Sequence, residues 1–203
     1  YIPLAEQQKI AEFLDRKCGE IDEMISLQEK VIEELKAYKQ SIITEAVTKG
    51  LNPDVPMKDS GIEWIGEIPE EWVVKRLKHL ATEKDSLIID GDWIESKHQS
   101  DEGIRLIQTG NIGNGVFKAK EDKPHYISEY TFDELGCTEI FSGDCLVSRL
   151  PEPVGRACLI PEIGCRMITA VDCSIIRFKE IILPKLFIYY TQSATYNRDV
   201  SNL

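Results

Sequence analysis

The sequence predicts an α+β fold, in which a long N-terminal coiled-coil-type helix precedes a mixed α/β domain with a small twisted sheet. Three observations carry this expectation. Apolar residues recur every seven positions through the first fifty residues, and that period stops at a Pro- and Gly-bearing stretch. From residue 104 onward, short β-branched runs then alternate with turn signals ahead of an aromatic helical segment.

In the helix, Leu14, Ile21, Leu35 and Ile42 fall seven apart, and Met24, Val31 and Tyr38 sit three positions later, giving the two apolar positions of a heptad. Ile10 and Phe13 extend the stripe toward the N-terminus. Gln28 interrupts it, and a lone polar residue there costs stability while fixing register against a partner helix. Pro3 suits a first helical turn, Gly19 is a weak point, and Lys49-Gly50 followed by Asn52-Pro53 is a stop signal. About 45 residues at a rise of roughly 1.5 Å make a rod on the order of 65 Å. Glu20, Glu23, Lys30, Glu34 and Lys39 flank the seam, which suits a solvated helix pair better than a core helix. Residues 1–50 are therefore expected to be a spacer that meets another helix.

Composition bounds the remainder. At 203 residues and 42% hydrophobic content, the chain can hold one medium domain plus an extension. No apolar run approaches the roughly 20 residues of a membrane span and no secretory leader is visible, so a soluble, cytoplasmic protein is expected. Cys18, Cys137, Cys145, Cys158, Cys165 and Cys173 lack the close pairing of structural zinc sites and read as reduced, mostly buried thiols. The net charge is −11; residues 1–50 carry 7 Lys and Arg against 10 Asp and Glu, and the rest 17 against 25. Neither part is basic overall, so a nucleic-acid partner must be argued from local groups.

Residues 51–72 form an ordered linker and a Trp-Pro-Trp lead-in, with Trp64 and Trp72 expected to plug the edge of the following domain. The domain itself is placed at 73–203, opening on a short helix or strand from Val73 to Thr82. Further strands are expected at Ile104–Gln108, after the Gly143-Asp144 turn through Leu150, at Gly155–Ile160 and at Ala170–Phe178; Asn114-Gly115 is a hairpin-type turn, and Lys185–Thr195 a helix. No phosphate-cradling glycine loop, serine elbow or histidine pair at ligand spacing occurs among His79, His98 and His125. Asp85, Asp90, Asp92 and Glu95 lack the spaced lysine of a nuclease constellation. No catalytic residue, metal or cofactor is expected.

Four segments carry a family resemblance: Ile2-Pro3-Leu4-Ala5-Glu6-Gln7-Gln8-Lys9-Ile10 through Asp15; Leu35 through Gly50; Trp64-Ile65-Gly66-Glu67-Ile68-Pro69-Glu70-Glu71-Trp72; and Gly143-Asp144-Cys145-Leu146-Val147. With them the chain resembles the specificity subunit of type I restriction-modification systems, which reads DNA for methyltransferase and restriction subunits. The family pattern has two recognition domains and two antiparallel helices. This chain has one of each, which implies a half-subunit or a fragment truncated beyond Asn202-Leu203.

The resemblance implies a non-catalytic DNA reader of one half of a bipartite target, whose partners are double-stranded DNA, the methyltransferase and restriction subunits, and a second helix from the same subunit or a homodimer. Within the recognition domain, Gln108, Thr109 and Asn111 at a strand end and Arg149 and Arg156 around the 151–155 loop are candidate base or backbone contacts. Lys97, Lys118, Lys120 and Lys123 are candidate phosphate contacts. The competing class is a coiled-coil protein-interaction adaptor without DNA specificity.

Overall fold

The structure is a computed structural model that describes residues 1–80, 88–151 and 153–201. Thr82, Asp85, Glu152, Asn202 and Leu203, which figured in the sequence reading, lie outside the described residues. The chain divides into two compact units, Tyr1–Ile42 and Ile43–Leu203. The first unit is helix alone.

Helix α1 runs from Leu4 to Lys49. The Pro3 carbonyl accepts from the amides of Glu6 and Gln7, so proline sits where its missing N–H costs nothing. At the other end Gly50 takes a φ of +80°, the left-handed conformation that ends helices at low cost for glycine. The helix passes through Gly19 without interruption. All seven predicted seam residues, Leu14, Ile21, Met24, Val31, Leu35, Tyr38 and Ile42, are exposed, together with Ile25, Leu27 and Ile32. Its last turns belong to the second unit, where Thr48 is buried and the Thr44 hydroxyl oxygen accepts the Ala194 amide at 2.9 Å.

The second unit begins with an antiparallel pair, β1 (Met57–Asp59) and β2 (Glu67–Pro69), so the 51–72 segment contains a small hairpin rather than unpaired linker alone. Trp64 and Trp72 are about 40% exposed, and the Trp72 ring lies beside Gly50. Val73–Leu80 carries only a 3-10 turn at Leu77–His79.

Two sheets follow. One holds β4 (Gln99–Ser100), β5 (Ile104–Ile107), β6 (Tyr126–Ile127), β7 (Glu139–Ile140) and β10 (Met167–Thr169) in the order β4-β6-β5-β10-β7, with β10 parallel to β5 and the other pairs antiparallel. The other holds β3 (Ile88–Asp90), β8 (Cys145–Ser148), β9 (Ala157–Leu159) and β11 (Cys173–Ile176) in the antiparallel order β3-β11-β8-β9. Alternation along the strands sorts the core. Ile107, Met167, Leu146, Cys158, Cys173 and Ile175 meet in one cluster between the sheets, whereas Ile104, Leu106 and Ile168 face helix α2 (Glu129–Leu135) through Phe132. Cys145, Ala157 and Ile176 lie on the opposite side against Phe187 and Ile188 of helix α3 (Pro184–Tyr190).

The strands at 104, 145, 157 and 173 stand where the sequence placed them, each shorter than expected. The segment expected as one helix over 185–195 is two: α3 ends at Tyr190, and α4 spans Ala194–Ser201. The break is local hydrogen bonding, because the Ser193 hydroxyl both donates to the Tyr190 carbonyl and accepts the Tyr196 amide. Helix α2 was not anticipated, although its signals are present: Ser128 accepts the Thr131 amide and Gly136 closes the helix at φ +62°.

Candidate nucleic-acid interface

Several of the predicted contact residues lie at or beside the end of β5. That strand runs into a 3-10 turn at Thr109–Asn111, and Asn111 holds the turn closed. Its side-chain oxygen accepts the Gln108 amide at 3.0 Å, and its amide nitrogen donates to the Lys118 carbonyl at 2.8 Å. The Lys118 amide returns a bond to the Asn111 carbonyl. Asn111 is buried, so its side chain shapes the loop rather than presenting itself outward.

Beside this loop lies a cleft of about 220 Å³ lined by Arg105, Leu106, Gln108, Asn111, Lys120, Asp122, Lys123 and His125. Four of the nine candidate residues thus meet at one place. The Lys120 ammonium crosses directly over Gly110, where an added Cβ would stand 2.4 Å from it. Lys120 itself has a φ of +49°, the one left-handed non-glycine among the described residues, and strained backbone of this kind concentrates at working sites. Lys118, Lys120 and Lys123 are exposed and form no ion pair among the described residues.

Arg105 was missed by sequence reasoning, because an arginine inside an apolar strand carries no loop signal. Its guanidinium donates to the Ala119 carbonyl at 2.7 Å and stacks over the Tyr126 ring at 5.4 Å, which places a permanent positive charge in the wall of the cleft. His125 faces Gln99, its Nδ1 lying 2.9 Å from the Gln99 side-chain oxygen.

The other candidates lie apart from the cleft lining. Lys97 pairs with Glu95 at 2.9 Å, both exposed. Arg149 donates to Asp90 at 2.9 Å and to the Val171 carbonyl at 2.8 Å. Arg156 is engaged more deeply, since its Nε donates to the Ile112 carbonyl at 2.8 Å and its two terminal nitrogens to those of Leu150, Pro153 and Thr109 at 3.0, 3.1 and 3.1 Å. Four of its five N–H groups are thereby spent on backbone.

The Gly143-Asp144 turn is structural. Gly143 takes a φ of +90°, and buried Asp144 receives the Arg177 guanidinium on both oxygens at 3.0–3.2 Å together with the Phe141 amide. Near the start of the same sheet, Asp92 accepts the Thr138 amide, and burial pushes its carboxyl above the usual range. Among the described residues no group of three His, Cys, Asp or Glu side chains could hold a metal ion. No helix there is long and apolar enough to cross a membrane.

No family model matches the chain. Over 113 residues, 56% of its length, it is 31% identical to the type I restriction enzyme MjaVIII specificity subunit of Methanocaldococcus jannaschii, and the match covers 24% of that relative. Two solved structures share its fold, each with a TM-score of 0.54. One is a chain from a study of complex assembly and conformational transition in a type I R-M system, at 18% identity over 94% of this chain and 41% of that one. The other is the HsdS subunit of Thermoanaerobacter tengcongensis, at 16% identity over 99% and 43%. The chain therefore spans about a quarter of the curated relative and about two fifths of the solved chains. Over the 113 matched residues, the chain is a homologue of a type I restriction enzyme specificity subunit.

Proposed function

We propose that the chain is a non-catalytic DNA-recognition subunit that reads one half of a bipartite target and directs methyltransferase and restriction subunits to it. The observation that carries this reading is the 46-residue helix with an exposed apolar stripe interrupted at Gln28, joined in sequence to a domain whose cationic cleft has no metal-ligating cluster beside it among the described residues. Residues 1–50 act as the spacer, 51–72 as the lead-in and 73–203 as the recognition domain. A helix of 46 residues extends on the order of 70 Å, about two turns of B-DNA at roughly 34–36 Å each, and so sets the gap between half-sites when it pairs with a second such helix.

Energetics rank the candidate contacts. Gln108 at the cleft and Thr109 on the adjoining turn are half-buried rather than enclosed, and Gln108 has the chemistry to make paired bonds to adenine. Lys118, Lys120 and Lys123 supply phosphate contacts that position without specifying. Lys97 reaches DNA by releasing a solvent-exposed ion pair, and Arg149 by releasing an exposed pair worth only about 0–1 kcal/mol together with its bond to the Val171 carbonyl. Arg156 would have to abandon four backbone bonds, two of them part-buried, and Asn111 its part-buried bonds to Gln108 and Lys118, at roughly 1 kcal/mol apiece for the part-buried ones, and both are assigned to support.

A mobility-shift assay in the presence of the partner methyltransferase tests the reading. Sequence-dependent binding is expected, with Lys118→Ala and Lys120→Ala weakening all sequences alike and lowering the salt slope by about one unit each. Binding that ignores sequence in the assembled complex would reject the reader in favour of a coiled-coil adaptor. Methyl transfer by this chain without its partner would reject the non-catalytic assignment.

A further inference from the structure

We infer that Arg156 and Tyr196 are positioning residues that lock the two candidate reading loops into one rigid edge and anchor that edge, through α4, to Thr44 near the end of α1. The inference rests on the DNA-reading assignment for its consequence, but its physical basis does not depend on it. Arg156 bonds to both loops. One guanidinium holds the carbonyls of Thr109 and Ile112 on one side and those of Leu150 and Pro153 on the other, reaching 47 and 44 residues back in sequence to the first pair. A planar fork with five donors suits this task, whereas a lysine could not span it.

The second loop is held again from behind. The Tyr196 hydroxyl donates to the Gly155 carbonyl at 3.0 Å, one residue before Arg156. Gly155 takes a φ of +79°, and a Cβ there would stand 2.7 Å from that hydroxyl, so glycine is needed both for the turn and for the close approach. Tyr196 lies in the first turn of α4, and the first amide of that helix, on Ala194, is accepted by the Thr44 hydroxyl of α1. Hydrogen bonds tie Thr44 to Ala194 and Tyr196 to Gly155, the first turn of α4 joins the two, and Arg156, next in sequence to Gly155, bonds the turn that carries Thr109 and Ile112. The last residues of α1, from Ile43 onward, and the reading edge lie in one compact unit and are tied together by these contacts.

Hydrogen exchange of the full chain, comparing wild type with Tyr196→Phe and Arg156→Lys, tests the clamp without DNA. Tyr196→Phe removes a single hydroxyl and keeps the ring, so the domain should remain folded. The amides of Asn111, Ile112 and Gly155 are expected to exchange faster together, by roughly two- to tenfold for the loss of one hydrogen bond, while those of β10 and α2 stay unchanged. If Gly155 alone loosens, or if neither loop responds to either variant, the two loops are independent and the inference fails. A second measurement uses the complex with the methyltransferase and a library of half-sites. A positioning role predicts that both variants relax preference at several adjacent base pairs while the salt slope stays constant. Loss of preference at a single base pair, or a slope lower by about one unit, would make Arg156 a direct contact and overturn the proposal. A wild-type complex with no sequence preference would reject the DNA-reading assignment, while the exchange result would still decide the clamp.

Discussion

Replacing Leu35 with Asp should abolish helix-mediated assembly and leave the fold intact. Leu35 is 60% exposed in the isolated chain, so the substitution removes almost no packing there. The remaining cost is the difference in helix propensity, about 0.5 kcal/mol. In a paired seam the numbers change. Full burial of a leucine is worth about 1.5–3 kcal/mol, and roughly half of that is still to be gained on pairing, so its loss costs about 1–2 kcal/mol per helix. The introduced carboxylate must also be desolvated or protonated, which adds several kcal/mol when it has no partner. Even a conservative total of about 4 kcal/mol weakens association by roughly a thousandfold. Sedimentation velocity across a concentration series, with thermal melting by circular dichroism on the same samples, separates the two effects. Dissociation is expected, with the variant melting as wild type does when diluted to monomer. An unchanged oligomeric state, alone or with the methyltransferase, would remove the seam assignment; a lowered melting temperature in dilute monomer would show that Leu35 packs within its own chain.

Three further outcomes concern the recognition domain. Arg177→Met leaves Asp144 buried beside an apolar group and should destabilise the domain by about 3 kcal/mol, the lower end for a broken buried pair because Arg177 is itself a third exposed; adding Asp144→Asn should recover part of the loss in a denaturant titration. Asp92 has a folded-state pKa raised by burial above its unfolded value of 3.8, so the folded chain binds the proton more tightly and this group's contribution declines as pH rises from below 3.8 through the raised value. Asp92→Asn keeps an acceptor for Thr138 and should raise the melting temperature relative to wild type at neutral pH, with the gap closing in acid; a gap that widens below pH 4 would contradict the burial account. Burial pushes the Cys137 thiol up to about 11 and Cys158 to about 12, and raises Cys145 and Cys173 as well, whereas Cys18 and Cys165 are exposed. An aromatic disulfide reagent at pH 8 should therefore modify those two quickly and the other four only on unfolding.

The helix was legible because a heptad is a local property: Leu14, Ile21, Leu35 and Ile42 state it without reference to the rest of the chain, and Gly50 states its end. Strand β5 and the turn after it were legible for the same reason. Pairing was not, since the parallel contact of Met167 with Arg105 joins residues sixty positions apart and depends on the whole sheet. The site was half legible, and the failure has a physical form. A lysine on an exposed loop, such as Lys118 or Lys120, competes only with water, so its charge remains available. An arginine in a loop rich in proline and glycine competes with the carbonyls that such a loop leaves unpaired. Pro151 and Pro153 donate no backbone N–H, Gly155 turns the chain back, and the carbonyls of Leu150 and Pro153 need a donor. Arg156 meets that need first, and the same guanidinium then reaches Ile112 and Thr109. In loops of this composition the carbonyls awaiting a donor have to be counted before an arginine is assigned to a phosphate or a base, and on that count Gln108 and the lysines of 118–123 remain as the groups with most capacity left for DNA.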